Sequence, residues 1–336
     1  MRRLITMRRL ISAARGASLT ALVSLLLLTS GSGQPSSPAP APNSQTTTLT
    51  PPAGAWDETG LSGTLAKISR TGVATLGYRD GLAPFSFQDR SGRPIGYSID
   101  LCNAIVEEIG RTLGRDELKV EYQTVTSETR LPAIVEGKID LECGSTTANL
   151  QRAKTVSFSP LIFVSGTKIL VKKGTPWTDY RNLKGKTIAV TAGTTNIAAI
   201  KKLDDKFNLG VKLIEAADHE QSYQMLDDGK VDGFATDDVL LAGLLAQHRS
   251  QDKFEIVGEL LSYDPYGIVY RHDDRPMKDV IERAFRGLVV NNEIDPIYDR
   301  WFGRRLPNGE AFHVPMSPQL EAAWDAFRTG IEPEHE

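Results

Sequence analysis

One pattern occurs twice in this chain and limits what it can fold into: a short alternating apolar run, a glycine, then a cluster of hydroxyl residues. The first copy is Leu141-Glu142-Cys143-Gly144-Ser145-Thr146-Thr147, where Ile139, Leu141 and Cys143 alternate with Asp140 and Glu142. Period-two alternation predicts a short strand, and Gly144 ends it. The second copy is Thr187-Ile188-Ala189-Val190-Thr191-Ala192-Gly193-Thr194-Thr195, which leads into a helical segment at 196–203. Hydroxyl side chains and free backbone N–H groups at such turns suit the start of a helix and the acceptance of an anion. A single turn of this kind is commonly only a well-capped loop. Two of them, each in its own strand–helix series, predict a cleft between two lobes with one turn from each.

The remaining segments keep the same alternation. Helices are predicted at 61–70, 99–111, from 127–130 to Gly137, and at 219–226, 239–247, 276–291, 294–302 and about 319–327. Met277, Val280, Ile281, Ala284, Phe285, Leu288 and Val289 form a stripe at helical spacing. Strands are predicted at 72–77, 119–124, 167–171, 211–216, 231–235, 256–258 and 267–270. The loop 78–87, punctuated by Gly81 and Pro84, is expected to expose Phe85 and Phe87. Strands alternating with helices mean an α/β fold with largely parallel sheets. Ligands of open sheets sit beyond the carboxyl ends of the strands. Arg79, Ser145, residues 191–195 and Asp237 all fall there.

Catalytic and metal signatures are absent. The five histidines show no paired spacing, and there is no P-loop, dinucleotide fingerprint or nucleophile elbow. A net charge of −3 without a basic, aromatic-interleaved patch gives no indication of nucleic acid. Three arginines, Arg79, Arg130 and Arg152, instead lie near donor-rich turns, while His219 opens a helix and Asp237 follows a strand. A guanidinium matches a carboxylate bidentately, and a lone aspartate suits an ammonium. Each residue has a plainer reading: an ion pair for any one arginine, a capping residue for His219 or Asp237. Taken together they describe a site for an acidic α-amino acid.

Residues 1–33 are not part of the fold. Arg2, Arg3, Arg8, Arg9 and Arg15 precede an apolar run at 17–28 and the small residues Ser30-Gly31-Ser32-Gly33. This is the pattern of a cleavable secretory signal, with an uncleaved anchor as the alternative. No cysteine follows the run to carry a lipid. Residues 34–60 are rich in Pro, Ser and Thr with few large apolar side chains, the composition of a disordered tether. The two cysteines, Cys102 and Cys143, both lie on apolar faces. In an exported protein they make either one disulfide or two core thiols.

At this point the chain resembles the periplasmic amino-acid-binding proteins of ABC importers (solute-binding protein family 3), and among them the glutamate/aspartate-binding members. The resemblance spans most of 61–302. It rests on Gly77-Tyr78-Arg79, Pro84-Phe85-Ser86-Phe87, Gly96-Tyr97-Ser98 with Asp100, Thr126-Ser127 with Arg130, and the whole first turn. It continues through Phe158-Ser159, Leu183-Lys184-Gly185-Lys186, the second turn, Asp218-His219, Asp237-Asp238-Val239-Leu240-Leu241-Ala242-Gly243 and Trp301-Phe302. It implies a two-lobed periplasmic-binding-protein fold (type II): two mixed sheets flanked by helices, a ligand cleft and a two-strand hinge. The lobes would comprise 61–165 with a return at 264–336 carrying a C-terminal helix, and 166–263. The matching positions imply that Arg130, Ser127, Ser145 and the backbone at Thr194 and Thr195 hold the α-carboxylate, with Thr147 and Thr191 as further ligand-binding residues. Arg79 and His219 would face the side-chain carboxylate, Asp237 the ammonium, and Phe85 the apolar part of the ligand. Arg152 would be a general contact rather than a selector. Ala235 and Thr236 depart from relatives that carry bulkier apolar residues there, which leaves the choice between glutamate and aspartate open. The implied protein is a periplasmic monomer that needs no cofactor or metal and hands L-glutamate or L-aspartate to an inner-membrane ABC permease. The alternative is an exported dehydratase on the same fold acting on prephenate or arogenate, with Glu142, His219 or Asp237 as its acid.

Overall fold

The computed structural model describes residues 60–329. The signal segment 1–33, all of the tether except Gly60, and the last seven residues lie outside the described residues. In chain order the elements are α1 (Gly63–Thr71), β1 (Val73–Tyr78), β2 (Phe87–Gln88), β3 (Pro94–Ile95), α2 (Tyr97–Thr112), β4 (Lys119–Thr124), α3 (Arg130–Val135), β5 (Leu141–Glu142), β6 (Val156–Phe158) and β7 (Phe163–Ser165). Then follow β8 (Thr167–Lys172), β9 (Thr187–Thr191), α4 (Asn196–Phe207), β10 (Lys212–Ala216), α5 (His219–Asp227), β11 (Gly233–Asp237), α6 (Asp238–His248) and β12 (Phe254–Val257). The chain returns through β13 (Asp264–Tyr266), β14 (Val269–Arg271), α7 (Arg275–Val290), α8 (Ile294–Phe302) and α9 (Pro318–Thr329).

Two five-stranded mixed sheets result, ordered β4-β1-β5-β14-β6 and β10-β9-β11-β8-β12. In each, a parallel trio (β4-β1-β5 and β10-β9-β11) is extended by antiparallel strands. The antiparallel pair β7–β13 lies where the chain passes between the sheets. The two passages are tied side by side: Leu261 N–H donates to Thr167 O at 2.9 Å, and Thr167 N–H to Ser262 Oγ at 2.9 Å.

The apolar stripes expected from the sequence are the buried faces. Met277, Val280, Ile281, Ala284, Phe285, Leu288 and Val289 of α7 and Ile99, Cys102, Ile105 and Ile109 of α2 pack into the core of the first sheet. Helix α6 is apolar on all sides because both lobes grip it. Val239, Leu240 and Ala246 pack into the first core, and Leu241, Leu244 and Leu245 into the second. Its far end is tied to the returning chain by Asn308 Nδ2 donating to Ala246 O at 2.9 Å.

Two expectations fail. No helix follows Gly144: Ser145, Thr146 and Thr147 form an open turn in which Thr147 bridges to Tyr266, and only a short 3₁₀ turn appears at Arg152–Lys154. Backbone pairing with the returning strand takes the place of the helix start. Phe85 is not exposed. It is fully buried, edge-on to Tyr97, Phe163, Tyr266 and Phe302, because the aromatic core offsets more than the loop's Gly and Pro suggest.

Cys102 and Cys143 form a disulfide, with Cα atoms 6.2 Å apart and a sequence separation of 41. It fastens α2 to the residue just before Gly144, so the first turn hangs from a covalent anchor. Closing a loop of this length stabilises the fold by up to about 4 kcal/mol in the chain-entropy view. Reduction, or Cys102→Ala with Cys143→Ala, should therefore lower the thermal unfolding midpoint. An unchanged midpoint with and without reductant would show that the bridge carries no stability.

Candidate functional site

The strand ends of the two sheets face each other, and a tight gap of about 10 Å³ lies between them. Arg79, Arg130, Ser145, Thr147 and Leu240 line it together with Thr194, Thr195, Asn196, His219 and Asp237. Ligand pockets run to several hundred Å³, so the lobes must part for any small molecule to enter. Two roomier grooves, about 410 and 490 Å³, lie elsewhere, behind α6 beside Tyr298 and Leu320 and beside Trp177 and Lys172. Their charged groups (Lys168 and Asp238; Lys172, Lys186 and Asp232) are exposed or half-buried, whereas those of the gap are buried, so chemistry rather than volume singles out the gap.

From the first lobe, Arg79 directly follows β1, and Arg130 is the first residue of α3. Both are buried. Arg130 Nε and Ser127 Oγ are buried without a hydrogen-bond partner in the protein. Unpaired buried donors of this kind are costly unless a further group satisfies them. Burial and the neighbouring Arg130 bring the Arg79 guanidinium down to about 9. Arg130 is lowered too, by burial. Glu142, fully buried at the end of β5, opposes both shifts as the local negative charge. Its Oε2 accepts from Thr146 Oγ1 at 2.6 Å, while Oε1 has no partner. A Cβ at Gly144 would strike the Glu142 carboxyl and lie 3.2 Å from Arg79 Cγ, so a side chain there would push the Glu142 carboxyl aside.

The second lobe supplies Thr194 and Thr195 at the amino end of α4, where helix N–H groups lack internal partners. Thr191 is turned inward, its Oγ1 3.0 Å from Ser222 Oγ, and does not line the gap. His219 opens α5 behind the cap Asp218. Burial, Arg79 and Arg130 hold its imidazole well below the usual range, so it is neutral. Asp237 ends β11; burial, then the nearby Asp264, push its carboxyl up to about 7. Tyr266 O–H and Asn196 Nδ2 both donate to it.

Contacts across the gap describe a closed form. Arg152 donates from Nη1 to Thr147 O at 2.9 Å and from Nη2 to Gly193 O at 3.2 Å, bridging the lobes. Gly193 has φ +74°, and a Cβ there would lie 2.9 Å from the Ser127 backbone. Asp264 Oδ1 accepts from Thr147 Oγ1 at 3.1 Å and Thr195 Oγ1 at 3.0 Å, pinning one hydroxyl from each turn.

The gap therefore brings together Arg79, Arg130, Ser145, Thr147, Thr194, Thr195, His219 and Asp237, with Ser127 and Arg152 at its edge. Phe85 belongs to the aromatic core, and Leu240 is the apolar residue at the gap. Sequence reasoning missed Asn196, Tyr266 and Asp264 and took Glu142 only as an acid. A signal existed for Asp264: it stands between Tyr263 and Pro265-Tyr266, a charge inside an apolar, aromatic run. Among the described residues no group of three or more His, Cys, Asp or Glu is placed to hold a metal ion.

Comparison with known proteins agrees with this architecture. Residues 74–304 match the bacterial extracellular solute-binding proteins, family 3. An L-glutamate/L-aspartate-binding protein of Pseudomonas aeruginosa is 41% identical over 263 residues, covering 78% of this chain and 87% of the relative. A glutamate/aspartate import solute-binding protein of Escherichia coli K12 is 38% identical over 244 residues, covering 73% and 81%. Among solved structures, an ancestral arginine-binding protein bound to arginine superposes with a TM-score of 0.63 at 31% identity, covering 69% of this chain and 99% of that one. The matched span takes in both sheets and every residue that lines the gap, and on that ground the chain belongs to the bacterial extracellular solute-binding proteins of family 3.

Proposed function

We propose that this protein captures an acidic amino acid, L-glutamate or L-aspartate, between its lobes and delivers it to an ABC importer. The observation that carries the reading is the convergence of buried Arg79 and Arg130, with Arg152 at the rim, on a gap whose opposite wall holds buried Asp237. Relatives named for glutamate and aspartate support it. Arg130, Ser127, Ser145 and the backbone at Thr194 and Thr195 take the α-carboxylate. Because the Thr147 and Thr195 hydroxyls already donate to Asp264, they serve as struts. Arg79, braced by His219, takes the side-chain carboxylate, Asp237 takes the ammonium, and Arg152 clasps the closed lobes. The lobes are 61–165 with 264–336, and 166–263. Residues 1–33 direct export to the periplasm, and the protein acts there as a monomer without catalysis.

Mass spectrometry of small molecules released from the purified protein, followed by calorimetric titration with amino acids, tests this. Glutamate or aspartate should be recovered and should bind more tightly than glutamine; recovery of a basic or apolar ligand overturns it. The dehydratase alternative requires turnover of prephenate or arogenate, and none is expected, because Asp237 is taken up by the ammonium and His219 is neutral and bonded at both ring nitrogens.

A pH dependence follows from Asp237. An acid raised from 3.8 to about 7 is protonated below that value and cannot pair with an ammonium. Its contribution to the stability of the free protein is full below the ordinary carboxyl range and is lost as pH rises through about 7. Ligand ammonium favours the carboxylate, so binding in mildly acidic buffer should release a proton. Affinity should rise with pH up to about 7 and then level off. Titrations in buffers of different ionisation enthalpy read the proton directly, and a pH-independent affinity would remove Asp237 from the ammonium.

A further inference from the structure

Six buried side chains form one unbroken hydrogen-bond chain along the cleft face. Arg79 Nη2 lies 3.3 Å from His219 Nδ1. A guanidinium only donates, so Nδ1 accepts, and the neutral ring carries its proton on Nε2. Nε2 is 3.1 Å from Thr236 Oγ1, which turns its own hydrogen toward Asn196 Oδ1 at 3.4 Å. Asn196 Nδ2 donates to Asp237 Oδ1 at 2.7 Å and to Thr167 Oγ1 at 2.8 Å, and Tyr266 O–H donates to the other oxygen of Asp237. A group that cannot accept starts the chain, so the hydrogens run in one direction from Arg79 through His219, Thr236 and Asn196 to Asp237.

We propose that Thr236, backed by Asn196, is a positioning residue for acid selectivity: by accepting from Nε2–H it holds the His219 ring in the orientation in which Nδ1 braces Arg79 for a second carboxylate. This rests on the assignment of Arg79 above. Thr236 itself is fully buried in β11 and is not among the residues lining the gap. Without its hydroxyl, Nε2–H has no acceptor inside the sheet. Arg79 still keeps Nδ1 free of a proton, so the ring must turn to find Nε2–H another partner, and Nδ1 swings off the guanidinium. Only ligands that use Arg79 feel the loss.

The test uses the full chain with Thr236→Val, an isosteric deletion of the hydroxyl, and Thr236→Ser, which restores it; Thr236→Ala repeats the deletion should the valine variant not fold. Glutamate affinity should fall about tenfold or more in the deletion variant, glutamine affinity by less than about threefold, and the serine variant should recover both. Imidazole ¹⁵N signals of ligand-free protein should move in the deletion variant, as Nδ1 loses the guanidinium donor, and return with serine. Equal losses for glutamate and glutamine, or an unchanged ring pattern, overturn the proposal. If the unaltered protein binds no acidic amino acid, the functional reading fails, while the ring measurement still decides whether Thr236 positions His219.

Discussion

Replacing Arg130 with alanine should lower affinity for glutamate, aspartate and glutamine alike by roughly 10²–10⁴-fold, the effect of leaving a buried charge without its partner. The reasoning starts from the free donors. Arg130 Nε and Ser127 Oγ are sealed from water and bonded to nothing in the protein, so both are available to the carboxylate that the proposed function brings into the cleft. Every amino acid presents an α-carboxylate there, and the loss is therefore independent of the side chain. Alanine is well tolerated at the first position of α3, so folding should survive. Lysine should rescue only part of the affinity, because it brings charge without the planar fork. Titration of the three ligands against both variants checks this. A loss confined to the acidic pair would move Arg130 to the side-chain end.

How far this site could be read in advance depends on distance along the chain. Arg79, Ser145, Thr195, His219 and Asp237 stand at strand or helix ends that hydrophobic periodicity marks out, so their shared location at the cleft was legible. Asn196, although adjacent to Thr195, looked like an ordinary helix residue, because its partners Thr167 and Asp237 lie 29 and 41 residues away. Asp264 meets Thr147 across 117 residues, a pairing set where the turn after β5 forms a single bridge to β13, too short to show alternation. Phe85 misled for the opposite reason. Its flanking Gly and Pro describe a loop correctly but say nothing of the aromatic rings from α2, β7 and α8 that close over it. Local pattern fixes elements and their ends; side-chain networks between lobes depend on where distant elements dock.

Arg79→Met should separate acidic from neutral ligands. Methionine keeps the length of the side chain and removes the guanidinium, so glutamate and aspartate should lose roughly 10²–10³-fold, a few charge-assisted bonds' worth, with glutamine reduced less than about tenfold. Arg79 is held for this task from three directions. Its backbone N–H donates to Ser86 Oγ at 2.9 Å, its chain passes over Gly144, and Nη2 rests on His219. The same crowding makes the residue expensive in the free protein. Burial and the repulsion of Arg130 bring its guanidinium down to about 9, still a cation at neutral pH but an uncomfortable one. Removing it relieves that repulsion, and Glu142 remains to offset Arg130. The ligand-free variant should therefore unfold at the same temperature as the parent or slightly above it, while glutamate no longer raises the midpoint. Thermal shift with each ligand reads both effects in one experiment. A lower midpoint without ligand, or equal losses for glutamate and glutamine, would mean that Arg79 supports the fold rather than selecting a second carboxylate.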